Sequence, residues 1–149
     1  PTMVQLEGEA ILRLLEVRRV IESGTVRRAA TNATAAQRAE IDTLCTQLLR
    51  IVDAGQPYRA ADMAFHAAIC DSTGNPMFGQ ILQRMDEAFE RSVESPFSVP
   101  GFGLASFPPH RDLADAIVAG DPDAAETALH RIIDLVEAEI REIIDGKRA

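Results

Sequence analysis

Asp62 and His66 stand four residues apart in Tyr58-Arg-Ala-Ala-Asp-Met-Ala-Phe-His-Ala-Ala-Ile69, a spacing that on a helix puts a carboxylate and an imidazole on one face, a turn apart. Tyr58, Phe65 and Ile69 share that stripe, so the pair interrupts a surface that should be buried, where polar groups need partners. His110 precedes Leu113, Ala114 and Ile117 at helical steps and opens the inner face of a later helix. Nitrogen and oxygen donors meeting inside a bundle suit a divalent metal such as zinc, nickel or manganese. The competing reading is a satisfied internal hydrogen-bond set. Arg18 lies on the stripe of Leu14, Leu15 and Ile21, whereas Arg19 points roughly 100° away, which makes Arg18 the candidate inward cation. Its alternative is a buried stem with the head group snorkelling or paired with a neighbouring Glu. His130 shares its stripe with Glu126, Asp134, Glu137 and Arg141 and is expected to face solvent.

Helices must hold these groups. Ile11, Leu14, Leu15, Arg18 and Ile21 define a first amphipathic helix that continues toward Ala30 despite Gly24. Thr34 and Gln37 form a capping box for a second, with Ile41, Leu44, Leu48, Ile51 and Val52 on its apolar face and Gly55 as its stop. A third runs over 57–72 and carries Asp62 and His66. Gly74-Asn75-Pro76 is a stop and restart, and Phe78, Ile81, Leu82, Met85 and Phe89 mark a fourth helix that fades near Val93. Residues 95–109 combine chain breakers with Phe97, Phe102 and Phe107, which reads as a packed lid or connector. A fifth helix over 109–119 and a long sixth, with Leu129, Ile132, Ile133, Val136, Ile140 and Ile143 on one stripe, complete the pattern. No strand periodicity or internal repeat competes, so the fold class is all-α, an antiparallel bundle of six to seven helices in one domain spanning 1–149.

With 46% hydrophobic and 26% charged residues the chain has globular composition, and its formal charge of −8 argues against gripping nucleic acid by itself. Cys45 and Cys70 lack metal or disulfide spacing, which fits a reducing cytoplasm. No apolar run is long enough for a membrane span, no leader pattern is present, and the start at Pro1 suggests a fragment or processed chain.

Read in order, Leu15-Glu-Val-Arg-Arg-Val-Ile-Glu22, Ala29-Ala-Thr-Asn-Ala-Thr34, Asp62-Met-Ala-Phe-His66 with Ile69, Gly74-Asn75-Pro76, His110-Arg-Asp-Leu-Ala-Asp-Ala-Ile117 and Gly120-Asp-Pro-Asp-Ala-Ala125 resemble the FCD domain, the effector-binding C-terminal half of FadR-type GntR transcriptional regulators. The resemblance implies a dimer-forming helical sensor with a central cavity, joined in the whole regulator to an N-terminal winged helix-turn-helix that binds operator DNA. No such module is visible here. It also implies a divalent metal in many members, held by an Asp-x-x-x-His pair, a His opening a later helix and a His in the last helix. Asp62, His66 and His110 match the first three positions. Ile132 occupies the fourth, and His130 is about 200° of helical rotation away from it. Arg18 matches a frequent family Arg, whose guanidinium suits the bidentate capture of an effector carboxylate.

The expected function is therefore that of a ligand sensor, not an enzyme. A small organic acid enters the bundle, binds through Arg18 and a metal on Asp62, His66 and His110, and shifts helix tilt or closure of the 95–109 loop in a homodimer. Two rivals are a small helical metallohydrolase using the same ligands and a structural dimerisation bundle without a ligand. The hydrolase lacks a recognisable general base, a nucleophile or a His-Glu-x-x-His motif.

Overall fold

The computed structural model describes residues 2–92 and 101–147. Its elements are α1 (Met3–Asn32), α2 (Ala35–Asp53), α3 (Arg59–Asp71), α4 (Met77–Ser92), a short 3-10 turn (Leu104–Ser106), α5 (Pro108–Ala119) and α6 (Pro122–Ile144), with no strand among the described residues. The all-α expectation holds. Local chemistry sets the boundaries. Thr34 and Gln37 make the reciprocal capping box at the start of α2, and Thr2 and Gln5 make another that starts α1 more than two turns before Ile11, its first fully buried side chain. Gly74, at φ 80°, takes the left-handed conformation that ends the α3 turn, and Asn75 Oδ1 accepts the Met77 N–H to begin α4.

Charged pairs show how the helices run. Along α1, Arg27 reaches Asp123 and Glu126, Ser23 meets His130 and Arg19 reaches Asp134 and Glu137. Positions fall on α1 as they rise on α6, so the two are antiparallel. The polar stripe on α6 expected to face solvent is thus a zipper along α1, and His130 is only half-exposed, with its Nε2 2.8 Å from Ser23 Oγ. In the same way Arg38 donates to the Ile117 and Ala30 carbonyls and Arg111 pairs with Asp42, which sets α2 antiparallel to α5 and ties it to the end of α1.

The main core joins Ile11, Leu15, Ile41, Leu48, Phe65, Leu113, Ile117, Leu129 and Ile140, and a satellite cluster of Cys70, Leu82 and Met85 seats α4. Ile81 departs from the expected inner face of α4 and is exposed. Fully burying each large aliphatic side chain is worth roughly 1.5–3 kcal/mol, so these two clusters dominate the stability. Between α1, α3, α5 and α6 the packing leaves a space. The described half of the connector, 101–107, lies over it against α6, with Phe107 buried and Phe102 partly so. Gly103, at φ 82°, makes this turn, and its N–H donates to the Glu139 carboxylate of α6 at 3.1 Å. Phe97 and closure over 95–100 lie outside the described residues.

Candidate metal and effector site

Asp62 and His66 occupy successive turns of α3, and His110 sits in the first turn of α5, just after Pro108 and Pro109. Asp62 Oδ1 lies 3.2 Å from His66 Nε2 and 3.4 Å from His110 Nε2, and the three donor atoms all lie within 4.8 Å of one another. The side chains of His110, His66 and Asp62 are 3%, 16% and 32% exposed. Aromatic packing fixes the imidazoles: Phe65 stands edge-on to His66, and Phe107 tilts over His110 with ring centroids 5.0 Å apart.

Hydrogen bonding decides which nitrogen is presented. His110 Nδ1 is 2.7 Å from the Ser106 carbonyl, which can only accept, so the Nδ1–H donates there and Nε2 is turned to Asp62. A protonated His110 donates its Nε2–H toward Asp62, and a neutral one offers a lone pair there to a cation. Asp62 Oδ1 is itself shielded from solvent, and the two imidazole nitrogens are the groups that face it. Burial favours the neutral form of Asp62, yet His66 and His110 outweigh it and hold the carboxyl far below the usual carboxylate range. Burial likewise opposes a charged His66, while Asp62 overrides it and raises the imidazole pKa. Both effects mark a spot that favours positive charge.

The residues fit a divalent cation. A tetrahedral shell with bonds of about 2.1 Å has edges of about 3.4 Å, close to the two Asp62–His separations. The second donor of His110 is engaged by a backbone carbonyl, as metal-bound imidazoles require. Zinc, nickel or manganese on Asp62, His66 and His110 would retain coordination positions facing the cavity. Ile132 lies in the same cavity wall and supplies no donor, and His130 is not among the lining residues.

That cavity measures about 500 Å³. Arg18 lines it, as expected from its helical phase, but with its guanidinium bound to carboxylates: Nε is 3.1 Å from Glu22 and a terminal nitrogen 3.5 Å from Asp86. Burial works against the charge on Arg18, and Glu22, Asp86 and Asp62 together offset it and raise its pKa. Burial raises the pKa of Asp86 despite the opposing pull of Arg18 and His66. Glu22, Asp86 and Arg59 are wall residues that the sequence reading did not single out. Glu22 was findable as the residue one turn beyond Arg18, and Asp86 as the residue one turn beyond Leu82 on the inner stripe of α4. No helix of the described residues is long and apolar enough to cross a membrane.

Comparison with known proteins gives this arrangement its lineage. The chain is 28% identical over 138 residues to the galactonate operon transcriptional repressor of Escherichia coli K12, covering 89% of this chain and 58% of that protein. It is 32% identical over 131 residues to the transcriptional repressor NanR of Citrobacter rodentium, covering 83% and 48%, and 24% identical over 129 residues to the regulator LutR of Bacillus subtilis, covering 83% and 59%. It thus spans about half to three-fifths of the length of these relatives. The FCD domain model matches residues 13–135, most of the chain, and the chain belongs to the FCD domain family.

Proposed function

We propose that this chain is the effector-binding domain of a GntR-type transcriptional regulator and that it senses a small organic acid. The observation that carries the reading is the convergence of Asp62, His66 and His110 in the wall of a cavity of about 500 Å³. A divalent cation held there supplies positive charge and open coordination positions for a carboxylate oxygen. Arg18 adds a second positive group to the wall, and Leu129, Ile133 and Phe107 exclude water from the acid's carbon chain. A ligand shifts a two-state equilibrium only through its differential affinity for the states. Here the groups that hold it and its cation belong to α1, α3, α5 and α6, so occupancy favours one relative setting of those helices over another.

The reading extends to the assembly. Val17 and Val20 on α1 and Met77 and Ile81 on α4 are exposed apolar side chains on two helices that pack together. A second copy of the chain is the partner proposed for that strip. Operator DNA is contacted by a winged helix-turn-helix of the whole regulator, since the charge of −8 on this domain repels phosphate. The proposed location is the cytoplasm. The test is titration of metal-loaded protein with small organic acids, followed by calorimetry and by analysis of the acid afterwards. Saturable binding with the acid recovered unchanged supports a sensor; turnover of the acid refutes it.

A further inference from the structure

His110 is aimed by a chain of contacts that begins on α6. Leu129, Ile132, Ile133 and Val136 of that helix line the cavity, and Glu139 follows Val136 on the same stripe. It is buried there, where a carboxylate is costly to keep unless it is bonded. The Glu139 carboxylate accepts the Gly103 N–H at 3.1 Å. Gly103 is in turn locked to Ser106, because its carbonyl accepts both the Ser106 N–H at 3.1 Å and the Ser106 hydroxyl at 2.6 Å. The Ser106 carbonyl then accepts the Nδ1–H of His110 at 2.7 Å. Phe107, the next residue, tilts over the same imidazole and meets Tyr58 of the cavity wall edge-on, with ring centroids 4.7 Å apart.

A continuous hydrogen-bonded path thus runs from a carboxylate on α6, through the 103–106 turn, to an imidazole on α5. Its far end matters for a cation. The outer partner of a ligand imidazole sets the tautomer and the direction of the nitrogen left free, here the Nε2 that faces Asp62. We propose, on the premise that the metal reading is correct, that Glu139 is a positioning residue for the metal site: by holding Gly103 it fixes the Ser106 carbonyl and with it the aim of His110, so that the setting of α6 and the grip on a cation are coupled. Such coupling is reciprocal. Loading the site steadies the 103–106 turn, and releasing the turn weakens the site. A Glu139 that merely anchors the connector would change the stability of the fold and leave the His110 ring proton and the metal affinity as they are.

The test combines NMR of the ring nitrogens in zinc-free protein with zinc competition against a chromogenic chelator, on the parent, Glu139→Ala and Glu139→Gln, each checked for a cooperative melt. Glu139→Ala removes the acceptor and is expected to lose the slowly exchanging His110 Nδ1–H signal and to weaken zinc about fivefold or more, approaching the loss seen when an outer partner of a ligand imidazole is removed. Glu139→Gln keeps an acceptor oxygen for Gly103 and is expected to retain the signal and hold zinc to within about twofold of the parent. In the parent, where no variant has to fold, saturating zinc is expected to slow hydrogen exchange of the Gly103 amide about threefold or more. An unchanged His110 signal and zinc affinity in Glu139→Ala overturn the proposal, and so does a Glu139→Gln that behaves like Glu139→Ala. Gly103 exchange indifferent to zinc overturns the coupling. If the parent binds no zinc, the metal reading fails on its own, and the His110 signal in zinc-free protein still decides whether Glu139 positions the imidazole.

Discussion

Asp62 owes its position to two imidazoles that come from different helices, and the neighbouring residues explain what the site can and cannot hold. Ile132 faces the cavity where the family resemblance places a fourth donor, so among the described residues three side chains are placed to hold a cation. Ile132→His is therefore expected to tighten zinc about tenfold or more, measured by competition with a chromogenic chelator. An unchanged affinity would place residue 132 out of reach of the ion. The two cysteines differ sharply from these ligands. Burial pushes the Cys70 thiol up to about 12, with Glu22, Asp71 and Asp86 adding to the effect, and leaves it protonated in the folded chain. An unfolded thiol ionises near pH 8.5, so between there and about 12 the unfolded state holds fewer protons than the folded one, and stability falls as pH rises. Below that window the contribution is fully present. Denaturant titrations at pH 8 and 10 should show a smaller loss for Cys70→Ala than for the parent chain.

At the scale of elements, the sequence made the helices legible because their apolar stripes and caps agree with the packing. Thr34, Gly74 and Gly120 punctuate the chain where expected, and Arg18 and His110 point inward as their phases require. Less legible was anything set by a partner helix. The polar stripe around His130 resembles a solvated face, yet it pairs with Arg19, Ser23 and Arg27 of α1, a match invisible without knowing which helices lie side by side. Asp86 was missed for the same reason, since a single carboxylate beside an apolar stripe gains its meaning only once Arg18 is seen beside it, whereas Glu22 stands one turn from Arg18 on the same helix and was legible as its neighbouring Glu. These contacts differ in energetic weight. Arg19 pairs near the surface, so Arg19→Ala should cost less than about 1 kcal/mol. Arg38 satisfies terminal carbonyls of α1 and α5 in a part-buried setting, and Arg38→Ala should cost about 1–3 kcal/mol. Urea titrations of the two variants would rank them; equal costs would mean that the clamp between α1, α2 and α5 is unimportant.

For the whole molecule, the acidic charge, the cavity and the exposed apolar residues of α1 and α4 are separate features that the proposed sensor would combine. Val20→Asp places a charge in the proposed contact and should convert a dimer to a monomer by light scattering at micromolar concentration, with zinc binding retained; a parent chain that is already monomeric would remove the basis for that contact. The family is legible across most of the chain, but the ligand is not, because cavity shape and wall charge arise from five helices and the turns between them at once. A divalent ion at Asp62, His66 and His110 is the centre of the proposed function. Its direct test is calorimetric titration of zinc into chelator-stripped, tag-free protein, beside Asp62→Ala and His110→Ala variants confirmed to be folded. One ion per chain is expected for the parent and at least a tenfold loss of affinity for each variant. Absence of saturable zinc, nickel or manganese binding to the parent, or affinity unchanged in both variants, would contradict it.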